Sequence, residues 1–118
     1  MPNSLNFPAM VNANQQVEAP LDTIVRRIVE LVQPVKIILF GSAARGNAGP
    51  DSDLDLLVVM PDGIHRRRTA QHLYRQLTGI GVPFDLVVAT RSDLVTHADN
   101  PGLIYKSVLK EGRTVYAA

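Results

Sequence analysis

The chain has 118 residues, a formal net charge of +1 and no cysteine. It has room for one domain with one modest core, and it excludes a disulfide framework, a thiolate metal site and nucleic-acid binding by bulk charge. At 46% hydrophobic its composition is that of an ordinary folding chain, and no apolar stretch approaches the roughly 20 residues of a membrane span.

Residues 1–16, MPNSLNFPAMVNANQQ, are rich in Asn and Pro and carry no charged side chain. They read as a loose arm ahead of a single domain over 17–118, with Leu5, Phe7 and Met10 its candidates for packing. The arm has no basic start and no clean apolar core, so no secretory signal is expected and the cytoplasm is the expected location.

The spacing predicts a helix over Val17–Gln33. Leu21, Ile24, Val25, Ile28 and Val32 recur on one face, with Arg26, Arg27 and Glu30 on the other. Pro20 falls near its first turn, Glu18 and Asp22 suit its N-terminal end, and Pro34 stops it. It reads as a scaffold helix.

A hydrophobic run, Val35–Phe40, stops at Gly41-Ser42, and a second run, Leu56–Val59, is opened by Ser52-Asp53-Leu54-Asp55. Both have strand length and composition. The loop between them starts with a helical turn, Ala43–Arg45, and is then broken by Gly46, Gly49 and Pro50; Asp51 is a loop residue. Strand alternation puts Asp53 and Asp55 on one face and Leu54 and Leu56 on the other. Two such carboxylates repel and are costly to bury bare, but they suit a hard cation such as Mg²⁺, which retains waters and binds substrate phosphates. Gly41 permits close backbone approach, exposed N–H groups at a strand-to-helix turn favour phosphate, and the Ser42 hydroxyl adds a hydrogen bond. Arg45 has two readings, a loop salt bridge or a reach to phosphate. Ser52 caps the loop or steadies a metal ligand. A lone Asp-x-Asp is most often a turn on a solvated face. Its order behind Gly41-Ser42, between two strands, gives it weight.

Pro61-Asp62-Gly63 is a turn. A helix over Ile64–Leu77 follows, with Ala70, Leu73, Tyr74 and Leu77 as its expected buried stripe. His65 to Arg68 form a basic cluster, read as a solvated face, with an acidic partner or an RNA backbone as the alternative. His65 and His72 are not assigned as metal ligands. A third strand spans Val82–Val88, with Phe84, Leu86 and Val88 on one face and Asp85 opposite; one acid in an apolar strand is expensive unless paired or metal-bound. Thr90 and Asp93 form a capping box for a short helix to Ala98. Asn100-Pro101 opens another helix, through Glu111, with Leu103, Ile104, Val108 and Leu109 on its apolar side and Gly112 as its C-cap. Thr114–Tyr116 is an end strand, with Tyr105 and Tyr116 as packing residues. The first two strands are joined by a loop too short for a crossover helix, so they should be antiparallel.

Gly41-Ser42, ten residues, then Asp53-x-Asp55 resembles the signature of the nucleotidyltransferase superfamily related to DNA polymerase beta. GSAARG followed by SDLDLLV is similar to the minimal nucleotidyltransferases, small stand-alone domains, many of which resemble antitoxins paired with helical HEPN ribonuclease toxins. The resemblance runs from about Val17 to Tyr116. It implies an α/β (α+β) fold, a small mixed β-sheet flanked by helices, and matches Asp85 to the third catalytic carboxylate. It further implies catalytic and metal-binding roles for Asp53, Asp55 and Asp85, nucleotide-binding roles for Gly41, Ser42, Arg45 and Ser52, one or two Mg²⁺ ions, and ATP as substrate. The expected reaction moves AMP to an acceptor hydroxyl, on a partner such as a HEPN-type toxin. Whether Asp85 holds a second ion or takes the acceptor's proton stays open. Two alternatives also stay open. One is an antitoxin that acts by binding alone. The other is transfer to a small molecule of aminoglycoside type, for which a homodimer would have to build the pocket.

Overall fold

The computed structural model describes residues 15–46 and 53–118. Residues 1–14 of the expected arm, and Asp51 and Ser52 of the loop, lie outside that range. In chain order the elements are α1 (Gln15–Val32), β1 (Lys36–Phe40), α2 (Gly41–Ala44), β2 (Leu54–Met60), α3 (Arg66–Leu77), β3 (Phe84–Thr90), α4 (Arg91–Thr96), α5 (Ile104–Glu111) and β4 (Arg113–Ala117). None of the described helices is long and apolar enough to cross a membrane.

Leu21, Ile24 and Ile28 are buried along α1, as the helical period requires. The helix starts two residues earlier than its pattern implied, which moves Pro20 into the second turn. It ends at Gln33, which takes a left-handed φ of 51° and is followed by Pro34, a residue that cannot continue the ladder.

The sheet order is β3-β2-β1-β4. β1 and β2 are antiparallel, as their short connection demands. β2 and β3 are parallel, with α3 as the crossover between them. β4 returns antiparallel to the other side of β1. The result is the mixed sheet flanked by helices. β2 is central and covered on both faces. Leu54, Leu56, Val58 and Met60 join Ile24, Ile28, Leu73 and Leu77 from α1 and α3. Leu57 and Val59 join Ile38, Ala89 and Val108 on the face that α4 and α5 cover. Leu56, Leu57 and Val58 are fully buried, and each contributes about 1.5–3 kcal/mol relative to exposure.

The Thr90–Asp93 capping box of α4 is formed in both directions. The last helix differs from expectation. Asn100 Oδ1 accepts from the Gly102 N–H at 2.9 Å, a local turn that competes with helix, so α5 begins only at Ile104. Its covered stripe is Tyr105 and Val108, while Leu103, Ile104 and Leu109 are exposed. Gly112 is the C-cap, its N–H bonded to the Val108 carbonyl at 2.7 Å, in extended rather than left-handed backbone with a φ of −74° and a ψ of 162°. A Cβ there would lie 2.5 Å from the Val108 carbonyl oxygen and 2.6 Å from Ile38 Cγ2. Glycine is needed because the end of α5 presses against β1.

Candidate active site

The acidic residues collect where β1 ends and β2 and β3 begin. Phe40 lies abreast of Asp55 in the β1–β2 register, and Asp55 lies abreast of Asp85 in the β2–β3 register. Strand alternation puts both carboxylates on the face of Leu57 and Val59, opposite Leu54, Leu56 and Leu86. Asp53 is exposed one residue before β2.

Gly41 follows β1 at once, with a φ of +73° that favours glycine. A Cβ at Gly41 would overlap Asp55 Oδ2 and sit 3.2 Å from its Cγ. The turn and the carboxylate are therefore in direct apposition. Ser42 is half-buried in the single turn of α2. Arg45 closes that turn, with its N–H bonded to the Gly41 carbonyl at 3.3 Å. Its side chain is exposed, and among the described residues it forms no salt bridge. Ser52 lies outside the described residues.

Asp55 is held above the usual carboxylate range, first by burial, then by the charges of Asp85 and Asp53. Asp55 thus senses the charges of the other two. A cation among them would relieve that repulsion, and an all-oxygen donor set fits a hard divalent ion such as Mg²⁺. No three His, Asp or Glu side chains among the described residues already stand as a finished cage for one ion. The donor chemistry of Asp53, Asp55 and Asp85 fits such an ion.

Sequence reasoning placed Tyr74 on the buried stripe of α3, but it is 38% exposed. Leu73 and Leu77 carry that stripe. Tyr74 instead crosses to β3, where its hydroxyl donates to Asp85 Oδ1 at 2.6 Å and accepts from the Leu86 N–H at 2.8 Å. Its ring stacks on Phe84, with centroids 5.5 Å apart. Burial, then the bond to Asp85, raises the phenol pKa. The signal available in the sequence was a tyrosine, whose hydroxyl needs a partner, on the helix just before an acidic strand.

The basic cluster is in part structural. His65 Nδ1 accepts from the Arg68 N–H at 3.2 Å as the N-cap of α3, and Arg66 pairs with Asp93 at 2.8 Å.

The profile of the nucleotidyltransferase domain family matches residues 21–115, most of the chain. The chain belongs to that family. No curated protein matches it by sequence. Among solved structures, this nucleotidyltransferase domain is similar to a candidate nucleotidyltransferase from Sulfolobus solfataricus, at 17% identity over 94% of this chain and 93% of that one, with a TM-score of 0.61. It is similar to a candidate minimal nucleotidyltransferase, at 27% identity over 90% and 98% of the two chains, with a TM-score of 0.58. A toxin–antitoxin structure with AMP-PNP matches at 21% identity over 86% of this chain and 73% of that one, with a TM-score of 0.52. The likenesses at 17% and 21% identity speak for the nucleotidyltransferase fold. Membership of the family gives the domain the potential for nucleotide transfer from a triphosphate.

Proposed function

We propose that this domain is a Mg²⁺-dependent nucleotidyltransferase that moves AMP from ATP to a hydroxyl on a partner protein, a HEPN-type toxin for which it serves as antitoxin. The observation that carries the reading is Asp55 abreast of Asp85 on parallel strands, with the Gly41 turn against Asp55. Asp53 and Asp55 would hold Mg²⁺ on the triphosphate. Asp85 would hold a second ion or receive the acceptor's proton. Bound Mg²⁺ supplies charge neutralisation on the phosphates and aids departure of the leaving group.

The chain's own residues do the rest. Gly41 lets the phosphates approach the backbone, and Ser42 Oγ donates to a phosphate oxygen. Arg45, exposed at the end of α2, reaches phosphate. The acceptor oxygen attacks the α-phosphorus, the bond to the bridging oxygen breaks, pyrophosphate leaves, and the proton passes to Asp85 or water. The partner reading is supported by likeness to a minimal nucleotidyltransferase at 27% identity and to a structure described as a toxin–antitoxin with AMP-PNP.

Mixing the chain with a helical partner encoded beside it, Mg²⁺ and ATP, then weighing the intact partner, tests this. A gain of about 329 Da, one AMP unit after loss of pyrophosphate, is expected. A partner that is bound and silenced at unchanged mass would replace transfer with inhibition by contact.

A further inference from the structure

Among the described residues β3 is an edge strand of the sheet, and its outward N–H groups face no neighbouring strand there. Tyr74 takes one of them. Its oxygen accepts the Leu86 N–H at 2.8 Å, and its ring is stacked on Phe84 at an interplanar angle of 21°. The phenol is thereby fixed at both ends. Its single proton has two acceptors within reach, Asp85 Oδ1 at 2.6 Å and the Leu86 carbonyl at 3.4 Å. The shorter, charge-assisted bond takes it.

Capping an edge N–H needs only an acceptor, and water reaches an exposed edge. The bond to Asp85 is a further element. Asp85 is exposed on an edge strand, where an unheld carboxylate divides its time among rotamers. A neutral phenol fixes one carboxylate oxygen without cancelling the negative charge. A lysine or arginine in its place would hold Asp85 equally well but repel a metal ion.

We infer that Tyr74 is a positioning residue for Asp85, holding Oδ1 so that Oδ2 is left for the ion or the acceptor hydroxyl. This rests on the nucleotidyltransferase reading above and adds to it a residue on α3, outside the Gly-Ser and Asp-x-Asp pattern. Outer partners that orient metal-ligating or reacting groups are typically worth about 10–100-fold in affinity or activity.

Tyr74→Phe keeps the ring on Phe84 and removes the hydroxyl alone. Mn²⁺ uptake with a non-hydrolysable ATP analogue, followed by loss of the free-ion paramagnetic resonance signal, gives a readout apart from turnover. Mn²⁺ affinity in that complex should fall about 10-fold, and kcat about 10–100-fold with the KM for ATP nearly unchanged. In an Asp85→Asn background the same change should do nothing further. A purely structural tyrosine would shift the melting temperature and leave these quantities alone.

Wild-type Mn²⁺ affinity and kcat in Tyr74→Phe would overturn the inference and spare the proposed function. Additive losses in the double variant would do the same. Absence of Mn²⁺–nucleotide uptake by the wild-type chain would overturn both. Should Tyr74→Phe fail to fold, the Tyr105→Phe/Tyr116→Phe chain retains Tyr74 as the last of three tyrosines in a sequence without tryptophan. Mg²⁺ with the ATP analogue should then change its tyrosine fluorescence, and an unchanged emission overturns the inference.

Discussion

Gly41→Ala adds one methyl group at the point where the phosphate-facing turn meets Asp55. Two costs can be separated. A left-handed φ of +73° is unfavourable for an L-residue by about 1–2 kcal/mol. The new Cβ would also overlap Asp55 Oδ2 and stand 3.2 Å from Cγ, so the carboxylate must leave its position. Gly79 supplies the control. Its φ is +84°, and nothing lies within 4 Å of the Cβ it would gain, so Gly79→Ala carries the backbone cost alone. Against a typical total stability of about 5–15 kcal/mol, both variants should fold. Urea unfolding should show a loss of about 1–2 kcal/mol in Gly79→Ala and at least that in Gly41→Ala, which adds the overlap with Asp55. Calorimetry with ATP and Mg²⁺ should separate them. Gly79→Ala should bind as wild type does, whereas Gly41→Ala should lose at least about 10-fold, the equivalent of roughly 1.4 kcal/mol, because Asp55 is displaced from the metal and the phosphate approach is narrowed. Equal nucleotide binding by Gly41→Ala and Gly79→Ala would refute the placement of the triphosphate at this turn.

Asp85→Asn should leave ATP binding within about twofold and lower transfer by about 100-fold or more, since the lost charge acts mainly in the transition state; single-turnover kinetics checks it. Asp93→Ala removes the Asp93 half of the capping box and the partner of Arg66, leaves Thr90 Oγ1 on the residue-93 N–H, and should cost about 1 kcal/mol in thermal or urea unfolding. The pKa of Asp93 is lowered, first by the Thr90 backbone N–H, so its contribution is present above the unfolded value of about 3.9 and is lost as pH falls through the folded value. Wild type should therefore lose its margin over Asp93→Asn below about pH 4, and parallel stability curves there would contradict the assignment. Gly112→Ala should destabilise by about 1–3 kcal/mol, because the methyl meets the Val108 carbonyl and Ile38 rather than open space; a neutral result in urea unfolding would show that α5 can withdraw from β1 at no cost.

Local chemistry was legible where a residue's own neighbours decide its conformation. The hairpin of β1 and β2, the Thr90–Asp93 box and the opposed faces of Asp85 and Leu86 all follow from short-range rules, and the structure has each of them. Periodicity also grouped the apolar positions of α1 correctly. It failed where coverage is set by distant parts of the chain. The sequence of α5 offers more than one apolar stripe, and only contact with β1 selects Tyr105 and Val108 over Ile104 and Leu109. Tyr74 shares a helix face with Leu73 and Leu77 on paper, yet the edge of β3 beside α3 draws its hydroxyl outward. Gly112 is the C-cap that its sequence position implied, but the space between α5 and Ile38, a second constraint on it, was not visible in the sequence. At the acidic site, the pattern named the residues, but the β2–β3 register that sets Asp55 beside Asp85 depends on a parallel crossover spanning α3.

The position of β4 has a consequence for the order in which the protein can be made safely. β1 is an inner strand only because β4, Arg113–Ala117, lies along it. Until those residues leave the ribosome, the Ile37–Leu39 segment presents an open row of backbone donors and acceptors flanked by fully apolar side chains. Such a row is a template for any passing strand, including the same segment of another nascent chain. Closure waits for Arg113–Ala117 and for the Ala118 N–H, which bonds the Val35 carbonyl at 2.9 Å. A chain interrupted before Arg113 would have every acidic site residue in place and an unguarded, aggregation-prone edge.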